Sequence, residues 1–175
     1  MLGHYKNFPR IIHGIARFSY SASRGKVQQA IASAFCQLNR EKCRLKEIAY
    51  SSSPRCEVDF EFGVGEESIF TFLNKSELSV LETEIAKKAL LLLDFLCVIQ
   101  YHVVDESGKR SPLKFDYYML RFAFNGNYVE FLISHERGPQ RIHVEDLIDF
   151  LMKHIKKELA NRYSVALKLE GTRTV

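Results

Sequence analysis

The first stretch whose residue types could hold a ligand is Ser19-Tyr20-Ser21-Ala22-Ser23-Arg24-Gly25-Lys26. It precedes Val27, Ala30, Ile31, Ala34, Phe35 and Leu38, which repeat at the spacing of one helix face. Free amides and the positive end of the dipole collect at a helix start, so Asp or Glu normally occupies the first turn. Arg24 and Lys26 stand there instead, and two cations at that end repel unless solvent screens them or an anion sits between them. Ser19, Ser21, Ser23, Arg24, Gly25 and Lys26 are therefore a candidate phosphate site. The plainer reading is a Ser cap with two solvated basic side chains. No Walker spacing supports a nucleotide loop. Ser23 and Lys26 also spell SxxK, but no KTG or comparable oxyanion element accompanies them.

A second candidate is the pair Asp116 and His135, in which the carboxylate could orient the imidazole and raise its basicity for acid or base work. The alternative is an ion pair at the end of a sheet, since no nucleophile is located nearby. Asp94 is a third. It interrupts Leu90-Leu91-Leu92-Leu93-Asp94-Phe95-Leu96, where a bare carboxylate is expensive to bury, so it should meet Arg17, Arg121 or Arg141. Finally, Arg137-Gly138-Pro139-Gln140-Arg141 is a basic loop around a rigid Gly-Pro pair. It could join Arg10, Arg17, Arg24 and Lys26 in one basic surface, or simply be a turn.

These residues need elements to place them. Alternation over Arg10 to Tyr20 predicts a strand with Ile12, Gly14, Ala16, Phe18 and Tyr20 on one side. Helix one is expected from about Arg24 to Leu38, with Ser23 as its N-cap. Leu45 to Tyr50 reads as a short strand, Ser51-Ser52-Ser53-Pro54 as a turn, and Glu57 to Val64 as a strand with an acidic solvent face. Ile69 to Leu73 continues that pattern. Asn74 with Glu77 fits a capping box opening a long helix, expected to reach about Gln100 and to be buried on several sides from Ala89 onward. Asp105 to Pro112 reads as a loop.

Phe115 to His135 reads as a hairpin. An Asn125-Gly126 type I′ turn makes partner numbers sum to 251. That register sets Phe122 opposite Val129, Leu120 opposite Phe131, Tyr118 opposite Ile133, Arg121 opposite Glu130 and Asp116 opposite His135. Val144 to Leu159 carries a third helix with Glu145 and Asp146 at its start, and Tyr163 to Leu169 a possible last strand. The order β-α-β-β-β-α-β-β-α, with that last strand possible, predicts an α+β protein. It comprises one domain over residues 1–175, its mainly antiparallel sheet carrying three helices on one face.

The 175 residues, 46% apolar and 26% charged, suit a packed core. Charge is uneven: residues 1–50 carry nine Lys or Arg against two Glu, whereas residues 51–110 carry six against eleven acidic residues. Cys36, Cys43, Cys56 and Cys97 show no CxxC, and the six histidines show no HxxxH, so neither a metal nor a cofactor is expected. The start lacks a leader-like apolar run, and Ala89 to Ile99 is too short to span a bilayer. A cytoplasmic protein with reduced thiols and no membrane partner follows. The leading functional reading is a small binding protein for an anion, most plausibly nucleic-acid phosphate. Tyr5, Phe8, Phe18 and Tyr20 stand among the cations there. The alternatives are an enzyme on a phosphorylated substrate using Asp116 and His135, and an interaction subunit without a ligand. A homodimer is expected, its acidic Glu57, Asp59 and Glu61 face meeting the basic first third of a second copy.

Overall fold

In a computed structural model that describes residues 1–49 and 55–175, the elements follow in this order: β1 (Gly14–Tyr20), α1 (Arg24–Leu38), β2 (Lys42–Arg44), β3 (Cys56–Glu66), β4 (Ile69–Phe72), α2 (Lys75–Lys87), β5 (Leu92–Val104), β6 (Arg110–Asn125), β7 (Tyr128–Arg137), α3 (Val144–Tyr163) and β8 (Leu167–Thr174). Among the described residues, eight strands form one antiparallel sheet in the order β2-β3-β5-β6-β7-β1-β8, with β4 on β3. The α+β class holds, with three helices and the possible last strand present, and the predicted order holds but for one strand more, β5, between α2 and α3. One face of every long strand points at the helices: Phe18 and Tyr20, Phe60 and Phe62, Phe95 and Ile99, Leu120 and Phe122, Phe131 and Ile133 are all buried. The residues between them form the opposite face, which carries no helix.

α1 lies between α2 and α3 and drives Phe35 into the centre of the core. There Phe35 stacks on Phe62 at 4.2 Å and meets Phe95 edge-on at 4.9 Å. Ser23 caps α1 by accepting from the Lys26 amide, and Asn74 caps α2 by accepting from the Glu77 amide, as their spacing implied.

Several boundaries differ from the sequence reading, among them the loop expected at Asp105 to Pro112, which β6 enters at Arg110. The long helix ends at Lys87, and Leu92 to Val104 is a central strand. Its inward side chains lie under the helices while Leu96 and Val98 on its other face are half-buried, so apart from Asp94 it reads as apolar on both faces from Leu92 to Ile99. Such a run has no period that separates it from a buried helix. The expected strand at Leu45 to Tyr50 is displaced: the pairing segment is Lys42–Arg44, and Leu45–Glu47 makes a single 3-10 turn. Tyr50 and the turn expected at residues 51–54 lie outside the described residues. β1 begins at Gly14 rather than Arg10, because the chain before it crosses to the uncovered face. The last strand begins at Leu167, after Ser164 ends α3 in a left-handed conformation.

The β6–β7 hairpin is correct in its strands and wrong in its register. Asn125 pairs with Tyr128, so the two-residue turn is Gly126-Asn127 and partners sum to 253. Gly126, with φ +59°, takes the first central position, where a type II′ turn places glycine. A slip of two preserves the faces, so every residue predicted inward remains inward. It removes the Arg121–Glu130 pair. Arg121 sits opposite Leu132 and binds Asp94, while Glu130 accepts from Arg17 of β1.

The first residues of the chain act as a wedge. β3 parts from β5 beyond the Phe62–Cys97 pair, and Gly3 enters the gap, donating to the Gly65 carbonyl and accepting from the Asp94 amide, both at 2.7 Å. Gly3 has φ +86°, and a Cβ there would meet a Leu90 methyl at 2.5 Å, so the position requires glycine.

Candidate functional site

Asp116 points inward from β6 and is fully buried. Its Oδ1 accepts from His135 Nε2 at 3.0 Å and the Gln140 amide at 2.7 Å; its Oδ2 accepts from the Tyr101 hydroxyl at 2.6 Å and the Arg141 amide at 3.0 Å. Four donors thus replace the water the carboxylate lost. Burial and then the bond to Asp116 push the Tyr101 phenol far above its ordinary range, so it donates throughout the physiological range. The Asp116–His135 pair expected from the sequence therefore exists as a contact. Its geometry ties the β7–α3 loop to the sheet and gives the carboxylate no opening to a substrate. The contact is diagonal: the register that sums to 253 sets His135 across from Tyr118, and the ring reaches the neighbour two residues away on the same face.

The tied loop has a consequence on the uncovered face. Gly138 adopts φ +112°, and a Cβ there would collide with the Phe115 carbonyl and the Asp116 carboxylate. Gln140 follows in a left-handed conformation. The turn so fixed closes one side of a cleft of about 530 Å³, lined by Lys114, Phe115, Tyr117, Arg137, Gly138 and Pro139. Phe115 is 38% exposed, its ring lies 6.2 Å from that of Tyr117, and the Arg137 guanidinium stands 5.6 Å over the Tyr117 ring. Two cations and two aromatic rings, Phe115 exposed and Tyr117 half-buried, thus share a concave site whose six lining residues include no carboxylate. The sequence reading named Arg137 and missed the aromatics. Their signal was the alternation of β6: Phe115 and Tyr117 fall on the face opposite Asp116 and Tyr118.

The other candidates are dispersed. Ser23 caps α1 and Lys26 lies 5.4 Å over the Tyr163 ring. Ser19 turns away to the uncovered face and donates to Glu170, so the six-residue phosphate group is not one cluster. Ser21, Arg24, Gly25 and Lys26 remain near the helix start. Asp94 is fully buried and takes Arg121 at 2.7 Å through both carboxylate oxygens, with the Tyr5 amide donating at 2.8 Å. The Phe8 ring covers that guanidinium at 4.2 Å. This cluster holds the N-terminal segment on the uncovered face. Of the four aromatics read as a stacking set, Phe18 and Tyr20 are buried toward the helices and Tyr5 packs on Phe70. Arg141 is exposed, its guanidinium 5.7 Å over the buried Tyr101 ring.

The helix start and the Asp116–His135 pair do not line one pocket. The Tyr20 amide, just before α1, donates to Asn127. His135 lies eight residues further along β7, about 26 Å at the rise of an extended strand. Nor do Arg17 and Arg137 form one surface, for Arg17 is paired with Glu130 beside the hairpin turn. A further cleft of about 470 Å³ opens beside the end of α2, its walls Leu2 and Leu90 to Leu92 with His4, Glu84, Lys87 and Lys88 among them, and it holds no Phe or Tyr ring. Among the described residues no three His, Cys, Asp or Glu side chains gather into a metal-holding group, and no helix is long and apolar enough to cross a membrane.

Compared with protein-family models, with curated proteins and with solved structures, the chain matches none.

Proposed function

We propose that the protein binds single-stranded nucleic acid through the Lys114, Phe115, Tyr117 and Arg137 cleft. The observation that carries this reading is the Arg137 guanidinium over Tyr117 with Phe115 exposed beside it. An unpaired base has an aromatic face for such a platform, and its flanking phosphates suit the two cations. Stacking is worth about 1–3 kcal/mol per base and tolerates sequence variation. The Asp116 network pre-orders the loop, which lowers the entropy cost of binding. The start of α1, with Arg24 and Lys26, is a second phosphate contact in this reading, reached only by a strand long enough to pass around the molecule. Four free, buried thiols suit a reducing compartment such as the cytoplasm, where such a partner is abundant. A homodimer fits as well, since two clefts in one assembly raise avidity for a long strand.

Titration of labelled single-stranded RNA, single-stranded DNA and duplex at low and moderate salt tests the reading. Tyr117→Ala and Phe115→Ala are each expected to weaken single-strand binding by about tenfold or more. Arg137→Glu should weaken it and flatten the salt dependence. Absence of single-strand binding at low salt, or binding indifferent to all three changes, overturns the proposal. Sensitivity to Arg24→Glu with Lys26→Glu alone moves the site to the start of α1.

A further inference from the structure

β8 is the last strand of the sheet, and among the described residues its outer edge faces no other strand. From Lys168 onward all its residues are exposed. Such an edge offers unpaired amides and carbonyls to another chain unless something blocks it. Lys168 and the register shift of β8 against Arg17 and Phe18, which leaves Glu170 as the extra residue, act against indiscriminate strand addition. The edge nevertheless has an apolar side. Leu169 is 46% exposed and, over the buried Phe18 and Met152 and beside the charged Asp149, Lys153 and Lys156, lines a groove of about 300 Å³ between β8 and α3.

We propose that this edge pairs with β8 of a second copy, antiparallel, with Leu169 on the two-fold axis. The register follows from charge. With Leu169 facing its own copy, Lys168 faces Glu170 of the partner subunit and the symmetry repeats the pair, giving two opposite-charge contacts across one two-fold. Lys168 pairs with Ser19, and Glu170 accepts from the Ser19 hydroxyl, so both charges lie toward the uncovered face, where such a contact forms. Leu169 pairs with Phe18 and faces the helices, so the two copies of Leu169 close the two grooves against each other. Aligning the strands over their full length instead sets Lys168 against Arg173, a repulsive pair; a shift that opposes Glu170 to Arg173 leaves Leu169 against Thr174. The interface stands independently of what the β6–β7 cleft binds, and it leaves that cleft open, because β7 and β1 separate β6 from β8.

Light scattering coupled to size exclusion, and sedimentation equilibrium from micromolar to submillimolar concentration, read the mass of the full chain. The parent protein should move from one chain toward two. Lys168→Glu and Glu170→Lys each place like charges across the axis twice and should weaken the dimer by about tenfold, while the double reversal should restore it. Thermal melting of all three variants shows whether the fold is retained; a variant that melts early is replaced by Lys168→Gln or Glu170→Gln, for which a smaller weakening is expected. A mass of one chain at every concentration, a dimer indifferent to the single reversals, or a double reversal no better than the singles overturns the proposal.

Discussion

Asp116 exchanges its entire hydration for four donors, and two of those are backbone amides of the loop it holds. Asp116→Ala leaves these amides and the Tyr101 hydroxyl facing a void, and Asp116→Asn turns an amide donor toward donors. Either should cost about 3–5 kcal/mol by urea denaturation, the scale for breaking a buried charged network from one side. His135→Ala removes one donor of the four and should cost about 1–2 kcal/mol. Hydrogen exchange at Gln140 and Arg141 should accelerate in the Asp116 variants, with no acceleration overturning the pinning role. The pair was legible from sequence, and so was Arg121 as one of three partners for Asp94. The two loop amides were not, because the loop reaches Asp116 only through the unusual backbone of Gly138 and Gln140, which no side-chain pattern encodes, and Tyr101 was hidden by the misread β5. The thiols add a pH dependence. Burial, then Glu41, Glu47 and Asp59, pushes Cys43 up to about 11. The unfolded thiol ionises from about pH 8.5. The unfolded state therefore binds fewer protons between those values, and stability should fall as pH rises through that window. Cys43→Ala should show a shallower alkaline decline in melting temperature than the parent.

At the scale of elements, the strands and helices with a clear period were readable, and the ones that failed did so for identifiable reasons. β3 and β6 alternate because one face meets helices and the other meets less crowded surroundings. β5 does not alternate in the same way, because Leu96 and Val98 on its second face are themselves half-buried and Asp94 and His102 are buried. The hairpin turn shows how local preference yields to the whole: Asn-Gly favours one register, yet Gly-Asn two residues later in the sum also makes a good turn, and it brings Phe122 onto Phe131, stacked at 4.3 Å. Gly126→Ala tests this placement. Its Cβ would meet nothing within 4 Å, so only the positive φ opposes it, and a loss of about 1 kcal/mol is expected. Asn127→Gly should change stability by less. If Asn127→Gly proves the costlier substitution, the turn lies one residue earlier.

For the whole molecule, the uneven charge of the sequence is largely answered within the chain. β2, from the basic first third, lies beside acidic β3 with Lys42 opposite Asp59 and Arg44 opposite Glu57. From the other side of β3, across β5, Arg110 reaches Glu57 at 2.7 Å and Asp59 at 2.9 Å. The acidic face that the sequence offered to a second copy therefore already has cations around it, which weakens the charge argument for a dimer there and does not touch the β8 edge at the other end of the sheet. These two surfaces predict opposite behaviour for the same variant. Glu57→Gln with Asp59→Asn leaves Arg110 half-buried without a counter-charge and should lower stability by about 1–2 kcal/mol in urea. It should leave the concentration dependence of the mass unchanged, because neither residue is near β8. A dimer lost in this variant while its melting temperature stays at the parent's would place the contact on the acidic face and remove it from the sheet edge.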